Sequence, residues 1–439
     1  MLTITPSHRP FHTAVTVPGD KSISHRSIMF GALAEGDTRI TGFLKSADCL
    51  STMSCFRALG IDIEETEDEI LVHGKGLHGL QAPSVTLDAG NSGTTTRLMA
   101  GILSAQTFPS TLTGDASIQK RPMGRVITPL TAMGADITSA AGNDCAPLKI
   151  SGGKLHGIDW TSPVASAQVK SCILLAALCS GTEASVTEPS LSRDHTERML
   201  NAFGVPVSTV LHPDGSATAR IAADGVLRSP GAIDVPGDIS SAAYFLAAAL
   251  LVPGSEILVR NVGINPTRAG ILTVLRRMGV EIIEENRDDS LEPKADLRVR
   301  YQRPEHPERD PHGDFVIGGD IIPALIDELP MIAVLCTQLP GRSIIRDAAE
   351  LKVKESDRIA VMTENLKKMG ADITATDDGF VIHGPTPLNG AEIDPHLDHR
   401  IAMSLAVAAL GAEGDTVIRD HECVNISYPE FFDELFRLI

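Results

Sequence analysis

Aromatic residues are scarce in this 439-residue chain: Phe, Tyr and Trp together make up 4%, with Trp160 the one tryptophan beside three tyrosines. Hydrophobic residues still reach 43%, so the interior must be aliphatic, packed from Ala, Leu and Ile. Cysteine occurs at Cys49, Cys55, Cys145, Cys172, Cys179, Cys336 and Cys423, an odd number without a CxxC pair or a zinc-finger spacing. This pattern excludes a disulfide framework and a thiolate metal site, and the thiols read as reduced core or surface residues. The longest apolar run, Ala242 to Pro253, is far short of a membrane span, and the opening MLTITPSHRPFH has no apolar core of secretory type. Cytoplasm is the expected compartment. Basic charge is also short, 38 Lys and Arg against 56 Asp and Glu, or −18 in all. Nucleic acid and anionic membranes are therefore not expected as partners, whereas a small anion fits if the cations are concentrated at one place.

What the chain does have is repetition. Six segments share one pattern, a polar opening followed by an apolar helical run. They are GDKSISHRSIMFGAL at Gly19, AGNSGTTTRLMAGIL at Ala89, SPVASAQVKSCILLAAL at Ser162, PGDISSAAYFLAAAL at Pro236, ALIDELPMIAVL at Ala324 and LDHRIAMSLAVAAL at Leu397. A second refrain, ALGIDI at Ala58, AMGADI at Ala132, AFGVPV at Ala202, RMGVEI at Arg277 and KMGADI at Lys368, recurs at roughly 70 to 90 residues. Runs such as Cys172 to Leu178 and Ala242 to Leu251 are apolar all round, which predicts helices buried on every side. The amphipathic helices should end at the MG or FG glycine, and hairpins such as Asp372 to Thr376 with Gly379 to His383 should close each unit. The unit is βαβαββ in cyclic order, and a chain of this length divides into two α/β domains of about 200 residues.

The sixth unit stops after its second helix, and the strand-like Leu2 to Val17 is read as its missing remainder. Chain crossings near Lys21 and Gly237 then give one domain over 21–237 and another over 1–20 plus 238–439.

Helix starts carry free N–H groups and partial positive charge, so six of them facing one cleft would attract anions. The openings present Lys21, Ser22 and Arg26; Asn91, Ser92, Gly93 and Thr94; Ser166, Ala167 and Gln168; Asp238 and Ser240; Asp327 and Glu328; and Asp398, His399 and Arg400. Ordinary capping explains Asp238 and Ser240. It cannot explain Lys21, Arg26 and Arg400, whose charge is wrong for a helix start. The stretch LTGDASIQKRPMGRVITPL adds Lys120, Arg121 and Arg125, and ELKVKESDRIAVMTENLKKMG adds Lys354, Glu355 and Arg358. The spacing of Lys354 and Arg358 predicts that both lie on one helix face.

GDKSISHR, GNSGTTTR, QKRPMGR, SAQVKS, LKVKESDRI and DHRIAMS, in this order over the full length, closely resemble 5-enolpyruvylshikimate-3-phosphate synthases, in the subgroup that writes SAQ. The resemblance implies a two-domain inside-out α/β barrel of six βαβαββ repeats. It also implies transfer of the enolpyruvyl group of phosphoenolpyruvate (PEP) to the 5-hydroxyl of shikimate 3-phosphate. No metal or organic cofactor, and a monomer acting on small molecules, belong to the same expectation. It puts Ser22, Arg26, Ser166, Ala167, Gln168 and Arg193 at shikimate 3-phosphate, with Asp327 and Lys354 on the shikimate hydroxyls. Gly93, Arg121, Gln168, Arg358 and Arg400 go to PEP, and Lys21 lies between the two substrates. Asp327 is the implied proton acceptor. Glu355, with Lys21, is assigned to the methylene carbon and the leaving phosphate, which would need the Glu355 pKa raised against the pull of Lys354 and Arg358.

Two positions depart from some members of that family. Ile426 in CVNISYP stands where they carry a lysine, and Glu350 where they carry an asparagine. Gly93 leaves room that would also admit the PEP mimic glyphosate. The sister transferase acting on UDP-N-acetylglucosamine has a loop cysteine where this chain has Ala116. RNA 3'-phosphate cyclase, with a related repeat, needs a polyanion that −18 disfavours. A non-catalytic anion-binding protein is the remaining alternative.

Overall fold

The computed structural model describes residues 1–7, 9–304 and 306–438. Two compact units compose it, Gly19–Pro236 and Met1–Pro18 with Gly237–Ile439. The described residues hold five four-stranded sheets and one three-stranded sheet.

The second, third and fifth repeats follow one plan along a continuous stretch of chain. A lead strand enters a buried helix, the next strand returns parallel to the lead, and a second helix enters an antiparallel hairpin. In the third repeat Ile158–Thr161 lies parallel to Ala184–Glu188, with the hairpin Val207–Leu211 and Ala217–Ile221 beyond it. The second repeat pairs Leu87–Asp88 with Ser110–Thr113 in the same way.

The helices behave as their patterns dictate. Ala167–Ser180 is buried from Val169 to Cys179, and Ile239–Leu251 from Ile239 to Ala249. The second helices Ala47–Ala58, Gly124–Ala132, His195–Ala202, Gly270–Arg277 and Arg358–Lys368 are each followed by one residue and then a glycine. Those glycines, Gly60, Gly134, Gly204, Gly279 and Gly370, have φ of 85°, 94°, 83°, 88° and 91°. A side chain at such φ is strained, so glycine is the residue that ends these helices.

The N-terminal segment divides its role. Only Leu2–Ile4 completes the sixth sheet, antiparallel to Thr416–Ile418. His12–Thr16, expected in the same place, instead pairs parallel with Glu256–Gly263 and leads the fourth repeat. Ala232–Asp234 reciprocates, lying parallel to Glu35–Thr41 of the first repeat. Each crossing thus falls between a lead strand and the helix that follows it in the chain. Alternation of apolar residues marks a strand but carries no information on which distant partner it joins.

Four aromatics, Tyr244, Phe245, Tyr428 and Phe431, meet in the unit that contains the C-terminus, with ring centroids 5.6 to 6.1 Å apart. All seven cysteines are buried and free. The charged stretch from residue 285 begins as a hairpin, Ile282–Asp288 with Lys294–Arg300, cross-linked by Arg298 to Glu285 at 2.7 Å. Among the described residues no helix is long and apolar enough to cross a membrane.

Candidate active site

Three helix starts converge within Gly19–Pro236. The helix Lys21–Leu33 is capped by Asp20, whose carboxylate accepts the Ile23 N–H at 2.9 Å. The Lys21 ammonium is close to the Asp48 carboxylate. Arg26 is buried and reaches the third repeat, donating to Thr196 Oγ1 at 2.7 Å and Ser171 Oγ at 3.0 Å, and back to the Ser22 carbonyl at 3.0 Å.

The second start, Gly93–Ser104, is capped by Ser92 through the Thr95 N–H at 3.0 Å. A Cβ on Gly93 would lie 3.0 Å from Arg97 NH1 and 3.6 Å from Arg121 NH1, so two guanidiniums flank the bare backbone. Arg121 is held by Asn91 Oδ1 at 2.9 Å and Ser117 Oγ at 3.1 Å. Arg97 donates to Gln168 Oε1 at 2.5 Å, and Gln168 Nε2 to Thr94 Oγ1 at 3.1 Å, which ties this start to the third. Ser166 caps that third helix, Ala167–Ser180, accepting the Val169 N–H at 3.4 Å. Arg193 is half-buried on the loop before His195–Ala202.

Below these starts runs a chain of hydroxyls. His25 Nδ1 meets Thr52 Oγ1 at 2.7 Å, Thr52 meets Thr95 at 2.7 Å, and Thr95 donates to Ser92 at 2.7 Å. Burial, then the charges of Lys21 and Arg26, hold His25 well below its ordinary pKa and therefore neutral.

The other unit gathers charge around one carboxylate. Asp327, in the turn before Leu329–Cys336, has Arg358 NH1 at 3.6 Å, Arg400 Nε at 3.9 Å and Lys354 Nζ at 4.0 Å. Arg358 is fully buried and forks between Asp398, 2.8 Å from Nε, and Glu355, 2.6 Å from NH2. Asp398 also caps His399–Leu410, accepting the Arg400 N–H at 3.0 Å. Next to Asp327 in sequence, Glu328 accepts from Arg268 NH1 at 2.7 Å, while Arg268 NH2 reaches the cap residue Asp238 at 3.0 Å.

Two expectations are corrected here. Lys354 and Arg358 share no helix face. A 3-10 turn, Ala349–Val353, ends before Lys354, and Asp357 caps a separate helix that starts at Arg358. Both still reach Asp327, because the bend between them turns the chain back on it. The second correction concerns Glu355, whose carboxyl lies at about 2, below its ordinary 4.5. Burial pushes it up, yet the charges of Arg358, His399 and Arg400 outweigh burial. Burial and Arg400 bring His399 itself down to about 3.

Arg97 and Arg268 escaped the sequence reading. Arg97 had a usable signal, since it sits in the first turns of a helix with the same misplaced charge as Arg26. Arg268 had none, lying in a loop whose partners are 28 to 60 residues away.

Comparison with known proteins follows the same lines. Residues 7–435 match the family model for EPSP synthase (3-phosphoshikimate 1-carboxyvinyltransferase). A 3-phosphoshikimate 1-carboxyvinyltransferase of Brevibacillus brevis is 55% identical over 427 residues, 97% of this chain and 96% of that protein. One from a Synechococcus strain is 52% identical over 443 residues, covering 100% and 97%. Among solved structures, an EPSP synthase from Acinetobacter baumannii aligns with TM-score 0.88 and 44% identity over 99% of this chain and 97% of that one.

Proposed function

We propose, from the premise that this chain belongs to the EPSP synthase (3-phosphoshikimate 1-carboxyvinyltransferase) family, an assignment of the steps of enolpyruvyl transfer to its residues. The protein is a transferase of aromatic amino acid biosynthesis that moves the enolpyruvyl group of PEP to the 5-hydroxyl of shikimate 3-phosphate and releases phosphate. The observation that carries the assignment is Asp327 with Lys354, Arg358 and Arg400 all within 4.0 Å.

Both substrates are multiply anionic, and their mutual repulsion must be offset by fixed cations and helix starts. In this reading Ser22, Arg26, Ser166, Ala167, Gln168 and Arg193 hold shikimate 3-phosphate, and Lys354 with Asp327 holds its hydroxyls. Gly93, Arg121, Gln168, Arg358 and Arg400 hold PEP, and Lys21 serves both. The bare backbone at Gly93 between two guanidiniums supports the PEP assignment, and the buried guanidinium of Arg26 in a helix start beside Ser171 and Thr196 supports a phosphate there. A monomeric, cytoplasmic enzyme is part of the same reading.

Addition needs a proton removed from the 5-hydroxyl and one delivered to the PEP methylene, giving a tetrahedral ketal that expels phosphate as the transfers reverse. Asp327 takes the hydroxyl proton. Glu355 is ionised in the free protein, so it cannot donate until its surroundings change. PEP arriving at Arg358 and Arg400 supplies that change, since its negative charge cancels the pull that depresses Glu355 and lets the carboxyl take up a proton. Calorimetry of PEP binding in two buffers of different ionisation enthalpy should show net proton uptake, reduced in Glu355→Gln. Equal uptake in both proteins removes Glu355 from the acid role.

Arg121→Ala should raise KM for PEP about tenfold or more, and that for shikimate 3-phosphate by much less, since one charged hydrogen bond is lost at one substrate. Equal rises would refute its placement. The function itself is tested by phosphate release on feeding PEP with shikimate 3-phosphate or with UDP-N-acetylglucosamine. Release with the second acceptor alone would overturn the reading.

A further inference from the structure

Behind the acceptor ligands lies a group of charges that no step above uses. Lys170 is in the first turn of Ala167–Ser180, two residues after Gln168, with its side chain 1% exposed. Its ammonium is 3.0 Å from Glu188 and 2.8 Å from Glu197, whose side chains are also buried. Burial works against the lysine's charge, and Glu197 and Glu188 more than restore it, so Lys170 stays cationic. Such a cluster is a poor source of stability, because apolar residues of the same volume would pack there without the desolvation cost. What it supplies instead is direction.

Three contacts lead outward from it. Glu188 Oε1 accepts the backbone N–H of Ser166 at 2.6 Å, which fixes the first residue of the Ser166–Ala167–Gln168 turn. Both Glu188 oxygens accept from the Ser192 hydroxyl, at 2.9 and 2.7 Å, and Lys170 donates to the Ser192 carbonyl at 3.4 Å. Ser192 is the neighbour of Arg193. Ser171, one residue after Lys170, and Thr196, one before Glu197, meet at 2.6 Å and receive the Arg26 guanidinium. Three separate stretches of chain, each bearing an assigned ligand of the acceptor phosphate, are therefore registered against one buried cluster.

We propose that Lys170, Glu188 and Glu197 are positioning residues for the acceptor phosphate, holding the Ser166 turn, the Arg193 loop and Arg26 in mutual register before substrate arrives. The inference rests on the acceptor assignment made under Proposed function. Lys170 has a second task. Two carboxylates behind a helix start would repel a phosphate, and its charge offsets one of them and keeps that start attractive to anions.

The test is steady-state kinetics on the full-length protein, varying shikimate 3-phosphate and PEP separately, with a thermal melt of each variant. Ser192→Ala removes the two hydroxyl contacts to Glu188, leaving the longer Lys170 contact to the Ser192 carbonyl, and strands no charge. It should raise KM for shikimate 3-phosphate about tenfold, with kcat and KM for PEP within about twofold, because only acceptor geometry is loosened. Glu188→Gln should act in the same direction, and Lys170→Met more strongly. Ser192→Ala combined with Arg193→Ala should cost less than the product of the two single effects, since both act through one contact. The proposal is overturned if Ser192→Ala and Glu188→Gln melt like the parent and leave KM for shikimate 3-phosphate within twofold. It is equally overturned if KM for PEP rises as much. An unsubstituted protein that releases no phosphate from this pair overturns the functional reading itself, a failure visible before any variant is made.

Discussion

Asp327→Asn is expected to lower kcat about a thousandfold, while KM for either substrate changes less than tenfold, the loss typical of removing a positioned proton acceptor. The amide keeps the shape and the hydrogen-bonding reach of the carboxylate. It cannot take a proton from the 5-hydroxyl. A purely structural ion pair would behave differently, because three cations within 4.0 Å would then lose their counter-charge and the effect would fall on stability and substrate affinity. Phosphate release under saturating substrates, with binding of shikimate 3-phosphate by calorimetry and a melt as controls, separates the two. A kcat within tenfold of the parent would remove Asp327 as the acceptor.

Arg358→Met should cost about 3 to 5 kcal/mol of stability, because it strands the buried carboxylate of Asp398 while leaving it in place. Arg358 and Asp398 are both 0% exposed, and Asp398 also caps the helix that carries Arg400. For a unit of this size that loss corresponds to a fall in Tm of roughly 10 °C. PEP affinity should collapse with it, since the ordering of Arg400 depends on the same cap. Arg358→Lys keeps the charge but not the fork that spans Asp398 and Glu355, so it should fall between the two. A Tm unchanged to within about 2 °C in the methionine variant would show that the network relaxes around the gap, contrary to the cost of stranded charge.

Much of this was visible before any coordinates. The five glycines that follow the second helices were marked by their LG, MG and FG refrains, and all adopt the left-handed φ that such an ending demands. Arg26 and Arg400 stood out because their sign contradicts a capping role, and each lies where that contradiction pointed, in a helix start. Lys170 was invisible, since one lysine in an apolar run gives no sign of whether it is solvated or buried against two glutamates. Arg97 was passed over although its helix position matches that of Arg26.

Glu355 shows where sequence reasoning stops. Its type and its place after Lys354 suggested an acid, yet its proton affinity depends on the distances to Arg358 and Arg400, and on how far burial competes with them. The lead strands teach the same lesson for the fold. The stretch Leu2 to Val17 reads as strand-like, but the sheet that His12–Thr16 joins lies more than 190 residues away in the chain.

Local chemistry therefore settled the buried helices, the glycine ends of the second helices and the family, because helix period, glycine freedom and charge sign act over a few residues. Tertiary structure alone decided which strands pair, which cations surround Asp327 and which way Glu355 titrates. Pairing, burial and Coulomb energy depend on distances through space, and the order of residues along a chain does not contain them.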